Sequence, residues 1–169
     1  MGNLLFSPSG RIGPGEFMKG AIILIVVAVI LSIPSLIGLP AGLVTALSLL
    51  SLVTLWCWVV LWVKRYHDGG KSGWTCLLPI IVYIILALVV YGALMGGSFM
   101  EIINATSNGA SEAEIEELTA AMTAKTGVPV LIASTVMSFA ISFLFNKMIK
   151  QDMHDNQFGP HRSVGETFS

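Results

Sequence analysis

Charge is what this sequence has least of, and it is missing in blocks. Only 11% of the 169 residues are charged against 54% hydrophobic, whereas a soluble domain carries about 25% charged residues. No Asp, Glu, Lys, Arg or His occurs from Gly20 to Val63, from Trp74 to Met100, or from Thr126 to Asn146. With a mean hydropathy of +0.81, these runs point to lipid rather than water as the surrounding solvent. Net charge is also near zero, at −1 with a pI near 6.3, so there is no electrostatic case for a nucleic-acid partner. Cysteine is scarce as well. Cys57 and Cys76 lie in or beside apolar runs and are too few for a disulfide framework or a zinc cluster. They are expected to pack as small apolar side chains, and no cofactor is expected.

The runs that are present have the length of membrane crossings, since about 20 apolar residues span a hydrocarbon core of about 30 Å. The first holds two crossings, divided by Pro34, Gly38, Pro40 and Gly42, a cluster that ends one helix and starts another. Four spans follow, at about 18–38, 41–63, 74–96 and 127–148. Helices are expected because lipid offers the backbone no partners, and runs such as AIILIVVAVIL do not alternate as a membrane β-strand must. The first span is longer than a signal-peptide core and lacks a clear A-x-A cleavage site, so it is expected to be retained. The fold class is therefore all-α integral membrane, one domain over 1–169.

Lys and Arg collect in cytoplasmic loops. Arg11 and Lys19 precede the first span, Lys64, Arg65 and Lys71 lie in the turn 64–73, and Lys147, Lys150 and Arg162 follow the last span. Lys125 alone shares the loop 97–126, with Glu101, Glu112, Glu114, Glu116 and Glu117. Both termini, including the tail 149–169, are thus expected in the cytoplasm and the acidic loop outside. Trp62 and Trp74 would bracket the turn as an interfacial aromatic pair. Within the acidic loop Ser111 and Glu114 form a capping box, and Gly127 with Pro129 reads as a stop. A short amphipathic helix between spans three and four is predicted, with Ile115, Leu118 and Met122 on a face that could rest on the bundle or the membrane surface. Asn104-Ala105-Thr106 fits a glycosylation acceptor, which matters only in a eukaryotic secretory route.

Reactive side chains concentrate in VKRYHDGGKSGW, Val63 to Trp74. Its GGKS resembles the end of a phosphate-binding loop, but the first Gly of that pattern would fall at Arg65, after a lipid-spanning helix rather than a strand. His67 and Asp68, with Asp152, His154 and Asp155, supply imidazole and carboxylate for a metal or acid/base site if the segments meet. The plainer expectation is no metal: polar side chains gather wherever a helix leaves the membrane, and Asp68 can pair with Lys64 or Arg65 one turn back. Ser134, Ser138, Ser142 and Asn146 recur every four residues on span four, as a polar path or, more commonly, a packing seam of small side chains. Gly92 and Gly96 form a G-x-x-x-G, for which close helix packing is the default. Thr45, Ser48, Ser51 and Thr54 recur every three residues and so define no single face. The interiors of the runs hold no ionisable residue, which pumps and proton-coupled carriers need as partners for their cargo.

Three stretches together resemble the domain of unknown function 805 family of small bacterial inner-membrane proteins. FSPSGRIGPGEF is similar to the family's opening motif at Gly10, Arg11, Glu16 and Phe17. KRYHDGGKSGW is similar to its central turn at Arg65, His67, Asp68, Lys71, Ser72, Gly73 and Trp74. DNQFGP is similar to its closing motif at Asn156, Phe158, Gly159 and Pro160. Lys64 replaces an Arg of the turn, the segment Gly13 to Gly15 lacks a second basic residue, and an acidic insertion separates spans three and four. The resemblance implies a bacterial inner-membrane location and no assigned activity. If all three motifs face the cytoplasm, Arg11, Arg65, His67, Asp68 and Asn156 converge in one polar cap that fixes the bundle or receives a partner. The expected role is a non-catalytic accessory or interaction protein, partnered by the bilayer and by other membrane proteins or copies of itself. The alternative is a small transporter or channel subunit using the serine face. An enzyme using His67 and Asp68 ranks last, since no nucleophile, oxyanion donors or complete metal shell accompany them.

Overall fold

The computed structural model describes residues 2–161, and Arg162 with the end of the tail lies outside them. Among the described residues all regular structure is helical, apart from one bridge between Asn156 and Gly159. In chain order the helices are α1 (Gly2–Leu5), α2 (Pro14–Leu36), α3 (Ala41–Ser48), α4 (Leu50–Asp68), α5 (Leu77–Ser107) and α6 (Glu112–Met148), with a 3₁₀ turn over Gly73–Cys76. Four stretches are long and apolar enough to cross a membrane: Pro14–Leu36, Gly42–Asp68, Gly73–Ser107 and Glu112–Met148.

Local chemistry explains the boundaries. Pro14 opens α2, where its missing N–H costs nothing, and Glu16 accepts a hydrogen bond from the Gly13 N–H at 3.3 Å. Pro34 sits within the last turn of α2, which closes as Leu39 N–H donates to the Pro34 carbonyl and Gly38 adopts φ +68°. The second span slips at Leu49, between α3 and α4. The hydroxyls repeating every three residues account for this. Ser48 donates to the Thr45 carbonyl (2.7 Å), Ser51 to Ser48, and Thr54 to Ser51 (2.8 Å). Such back-bonding competes with the backbone ladder and bends helices, and in lipid it satisfies each hydroxyl on its own helix.

Two expectations need correction. The turn expected over 64–73 begins later: Lys64 to Asp68 are the last residues of α4, and Gly69 with Gly70 (φ +68°) ends the helix. Nor is the acidic segment a separate short helix or a loop. α6 runs unbroken from Glu112 through Gly127 and Pro129 to Met148. A stop signal of this kind works where water takes over the freed backbone groups. Here breaking the helix at Gly127 and Pro129 would strand carbonyls against apolar neighbours, so continuation is favoured. At 1.5 Å per residue α5 and α6 measure about 46 and 55 Å, beyond the about 30 Å that a bilayer needs. Their far ends form a helical hairpin, turned at Gly109 (φ +80°) and capped where Ser111 and Glu114 exchange hydrogen bonds of 2.8 and 3.3 Å. Ile115, Leu118 and Met122 are half-buried.

α6 packs against both α5 and α2, and α2 against α4, while α4 and α5 meet chiefly through the 3₁₀ turn. The core lies towards one end of the bundle, where Ile12, Phe17, Ala21, Val60 and Leu61 are fully buried. Trp62 belongs to it at 4% exposure, with its ring centroid 4.5 Å from Phe17 and 6.2 Å from Phe145. Trp62 is thus a core residue and not one of an exposed pair, whereas Trp74 is 80% exposed. Gly20 permits the close α2–α4 crossing, since a Cβ there would stand 2.7 Å from Leu61 Cδ2. The outer faces are covered with exposed Leu, Ile, Val and Phe, unfavourable in water and neutral in hydrocarbon.

Candidate functional site

The core end is closed by a buried ionic cluster built from three distant parts of the chain. Asp68 is 0% exposed, with Arg11 Nε 3.0 Å from one carboxylate oxygen and Arg65 Nη1 2.9 Å from the other. Arg11 and Arg65 are themselves 2% and 1% exposed. One carboxylate between two guanidiniums leaves an excess positive charge, and backbone oxygens meet it. Arg11 donates to the carbonyls of His154 (2.8 Å), Asp68 (3.2 Å) and Asp152. Arg65 donates to the carbonyls of Asn146 (3.1 Å) and Ile149 at the end of α6. These are the negative ends of helix dipoles, where a cation is favoured, and a planar guanidinium can bridge several acceptors at once.

Around this centre the motif residues each take a place. Asn146 accepts from Arg65 Nε and donates to the Pro14 carbonyl at 3.0 Å, tying α6 to α4 and to the start of α2. The Asp68 carbonyl accepts the Asp152 N–H at 2.8 Å. Asn156 donates to the His67 carbonyl (3.1 Å) and to Asp152 (3.3 Å), and its side-chain Oδ1 accepts the Phe158 N–H. The His67 ring lies flat on Phe158, 3.8 Å between centroids, and its Nδ1 donates to the Gly10 carbonyl at 3.1 Å. Gly10 (φ +82°) and Gly159 (φ +137°) hold backbone conformations that only glycine enters freely. Gly73 lets the 3₁₀ turn approach α4, since a Cβ there would stand 3.1 Å from Val63 and 3.2 Å from His67 Nε2. Ser72 accepts the Thr75 N–H through its carbonyl. Ser72 and Lys71 are exposed. Lys64 is buried and reaches the Asn3 carbonyl. In the tail, Asp152 accepts from the His154 N–H and the Asn156 amide, and these bonds hold its carboxyl below the usual aspartate range.

The structure thus brings Arg11, Arg65, His67, Asp68 and Asn156 together, and adds Asn146, which the periodicity of span four had placed on a path or seam. The signal for Asn146 was its position one turn from the end of the span. His67, Asp68, Asp152, His154 and Asp155 do not assemble a ligand shell. Among the described residues no group of three or more His, Cys, Asp or Glu could hold a metal. Both Asp68 oxygens are held by arginines, and His154 and Asp155 are exposed.

The three serines of the stripe face a cavity of about 670 Å³ bordered by α2, α4, α5 and α6. Ser134, Ser138 and Ser142 line it, with Ser32, Thr54, Trp58 and Tyr83 opposite. Every residue lining it is uncharged. Its floor, at Trp62, Ile141 and Ser142, rests one turn inside the Arg65–Asn146 contact. Gly92 and Gly96, by contrast, pack against nothing: a Cβ at either would meet no atom within 4 Å. The close packing expected of that pair is absent within the described chain.

A four-span helical protein sealed at one end by a buried arginine–aspartate cluster is the class these features define. The chain belongs to the family described as Protein of unknown function (DUF805), which it matches over residues 5–160. That range takes in the opening, central and closing motifs, the parts that build the cap. No curated protein and no solved structure matches the chain.

Proposed function

We propose that this chain is a non-catalytic accessory protein of the bacterial inner membrane, with the cap and both termini in the cytoplasm and the α5–α6 hairpin outside. The cap acts as a fastener. It spends its charged side chains on one another and on backbone carbonyls, which suits joining three chain segments and leaves Asp68 no oxygen for acid/base work.

The observation that carries the partner role is α5. Only 6% of its most apolar window is buried, the least of the four spans, and Gly92, Gly96 and Gly97 open onto empty space along it. Small residues let a second helix approach closely, so α5 supplies the face for another membrane protein or a second copy. A photo-crosslinking residue at Leu88, which is 71% exposed, should capture a partner helix in native membranes, and Gly92→Leu with Gly96→Leu should abolish that capture. Undiminished capture in the double variant would dismiss this face. A reporter at Ala110 tests the orientation.

The cavity favours a second reading, a small transporter or channel subunit using Ser134, Ser138 and Ser142. Flux through liposomes that vanishes in Ser138→Leu would support it; the buried cap beneath the floor argues for a closed end.

A further inference from the structure

The cavity carries more than either role uses. It stands among four stretches able to span a membrane, so the bilayer has direct access to it, and its walls are mostly apolar with hydroxyls set among them. About 670 Å³ falls within the range of about 300–1,000 Å³ typical of small-molecule sites. Its uncharged lining gives an ionic headgroup no counter-charge.

The hydroxyls divide into two sets. Ser32, Thr54, Thr123 and Ser134 donate to carbonyls of their own helices at 2.7, 2.8, 3.0 and 2.9 Å, so they offer the cavity lone pairs only. Ser35, Thr135, Ser138 and Ser142 make no side-chain hydrogen bond among the described residues; of these Ser142, on the floor, is 1% exposed, and Ser138 stands one turn above it on the same face of α6. In such a setting an unused donor asks for an acceptor. Trp58, Trp62 and Tyr83 furnish flat apolar walls beside it. Towards α4 and α5 the lining residues Leu52, Leu55 and Ile84 are 63%, 57% and 50% exposed, which places the mouth between those two helices. From Ser142 to Thr123 the cavity follows α6 for about 28 Å.

We propose that this cavity binds an uncharged lipid carrying a carbonyl acceptor, with the carbonyl on Ser138 and Ser142 and the long chain leaving sideways between α4 and α5. Two sources share that chemistry, an acylglycerol ester and an isoprenoid quinone. The proposal stands apart from the accessory role, because it concerns the inner walls and not the outer face of α5.

The test uses the full chain in nanodiscs with four diazirine probes: a monoacylglycerol, a long-chain quinone, a fatty-acid carboxylate and a plain alkane. Labelled residues are mapped by mass spectrometry. The expected result is labelling of Trp58, Tyr83 and Ser138 by one of the two neutral carbonyl probes, and which one identifies the source. Ser138→Ala with Ser142→Ala should cut that labelling about tenfold, one hydrogen bond's worth, and leave alkane labelling unchanged. Ala28→Phe, which fills the cavity from α2, should suppress all labelling inside it. Equal labelling of outward-facing Val136, a preference for the carboxylate or alkane probe, or indifference to both sets of substitutions in monodisperse protein would each overturn the proposal.

Discussion

Asp68→Ala is the perturbation with the largest effect to expect. It leaves two guanidiniums, 2% and 1% exposed, facing each other with no anion between them. Removing one partner of a buried ion pair costs about 3–5 kcal/mol. This case falls at the upper end, because Arg11 and Arg65 lose bonds of 3.0 and 2.9 Å together. For a chain of this length each kcal/mol moves the melting temperature by about 2–4 °C, so a drop of roughly 6–20 °C is expected. Differential scanning fluorimetry of detergent-purified protein reads it, because Trp62 lies in the core that loosens. The loss should also have a direction. Arg11 holds the carbonyls of Asp152 and His154, and the Asp68 carbonyl holds the Asp152 N–H, so the tail from Lys150 to Pro160 should become open to protease before the spans do. A melting point within about 2 °C of the parent, or a tail as protected as before, would refute the assignment of the cluster as the fastener.

Gly69→Val should be costly, because its Cβ would stand 2.8 Å from Ile149 Cγ2 and 3.0 Å from the Lys150 carbonyl; about 1–3 kcal/mol of overpacking should appear in the same melt, while Gly92→Ala, inside α5 and in open space, should not lower the melting point. Ser111→Ala removes the α6 cap, and about 1 kcal/mol should emerge as faster amide exchange confined to the hairpin tip. Asp152 has a lowered pKa, so its support of the tail is complete above the ordinary aspartate value of about 4 and is lost as pH falls through the lower folded value. Tail cleavage by an acid-active protease should therefore rise below about pH 4, and Asp152→Asn should flatten that rise.

Much of this architecture can be read directly from the chain, because lipid imposes a simple rule. A run without charge must cross or be buried, and a backbone in hydrocarbon must be helical. The runs 20–63, 74–100 and 126–146 therefore disclosed four spans, and the three motifs disclosed which residues meet at one end. Helix ends were harder. The signals at Gly127 and Pro129 depend on water to stabilise a break, and within a span lipid offers the freed backbone groups no partner. Lys64 to Asp68 read as a turn because charge normally marks a helix's exit from the membrane, whereas here Arg65 and Asp68 find their partners in Arg11 and Asn146 and stay helical and buried.

Periodicity along one helix states which side chains share a face and is silent on what that face meets. Ser134, Ser138, Ser142 and Asn146 form one line, yet three border a cavity and the fourth ties α4, α6 and the start of α2 together. That division depends on how far apart four helices stand, a distance of packing and not of sequence. Span number and solvent follow from residue types in order, and the family motifs marked Arg11, Arg65, His67, Asp68 and Asn156 for the cap but not Asn146. The pairing inside the cap and the space above it exist only once the segments around Arg11, Asp68 and Asn146 are folded against one another, since a buried charge finds its partners through contacts between residues far apart in the chain.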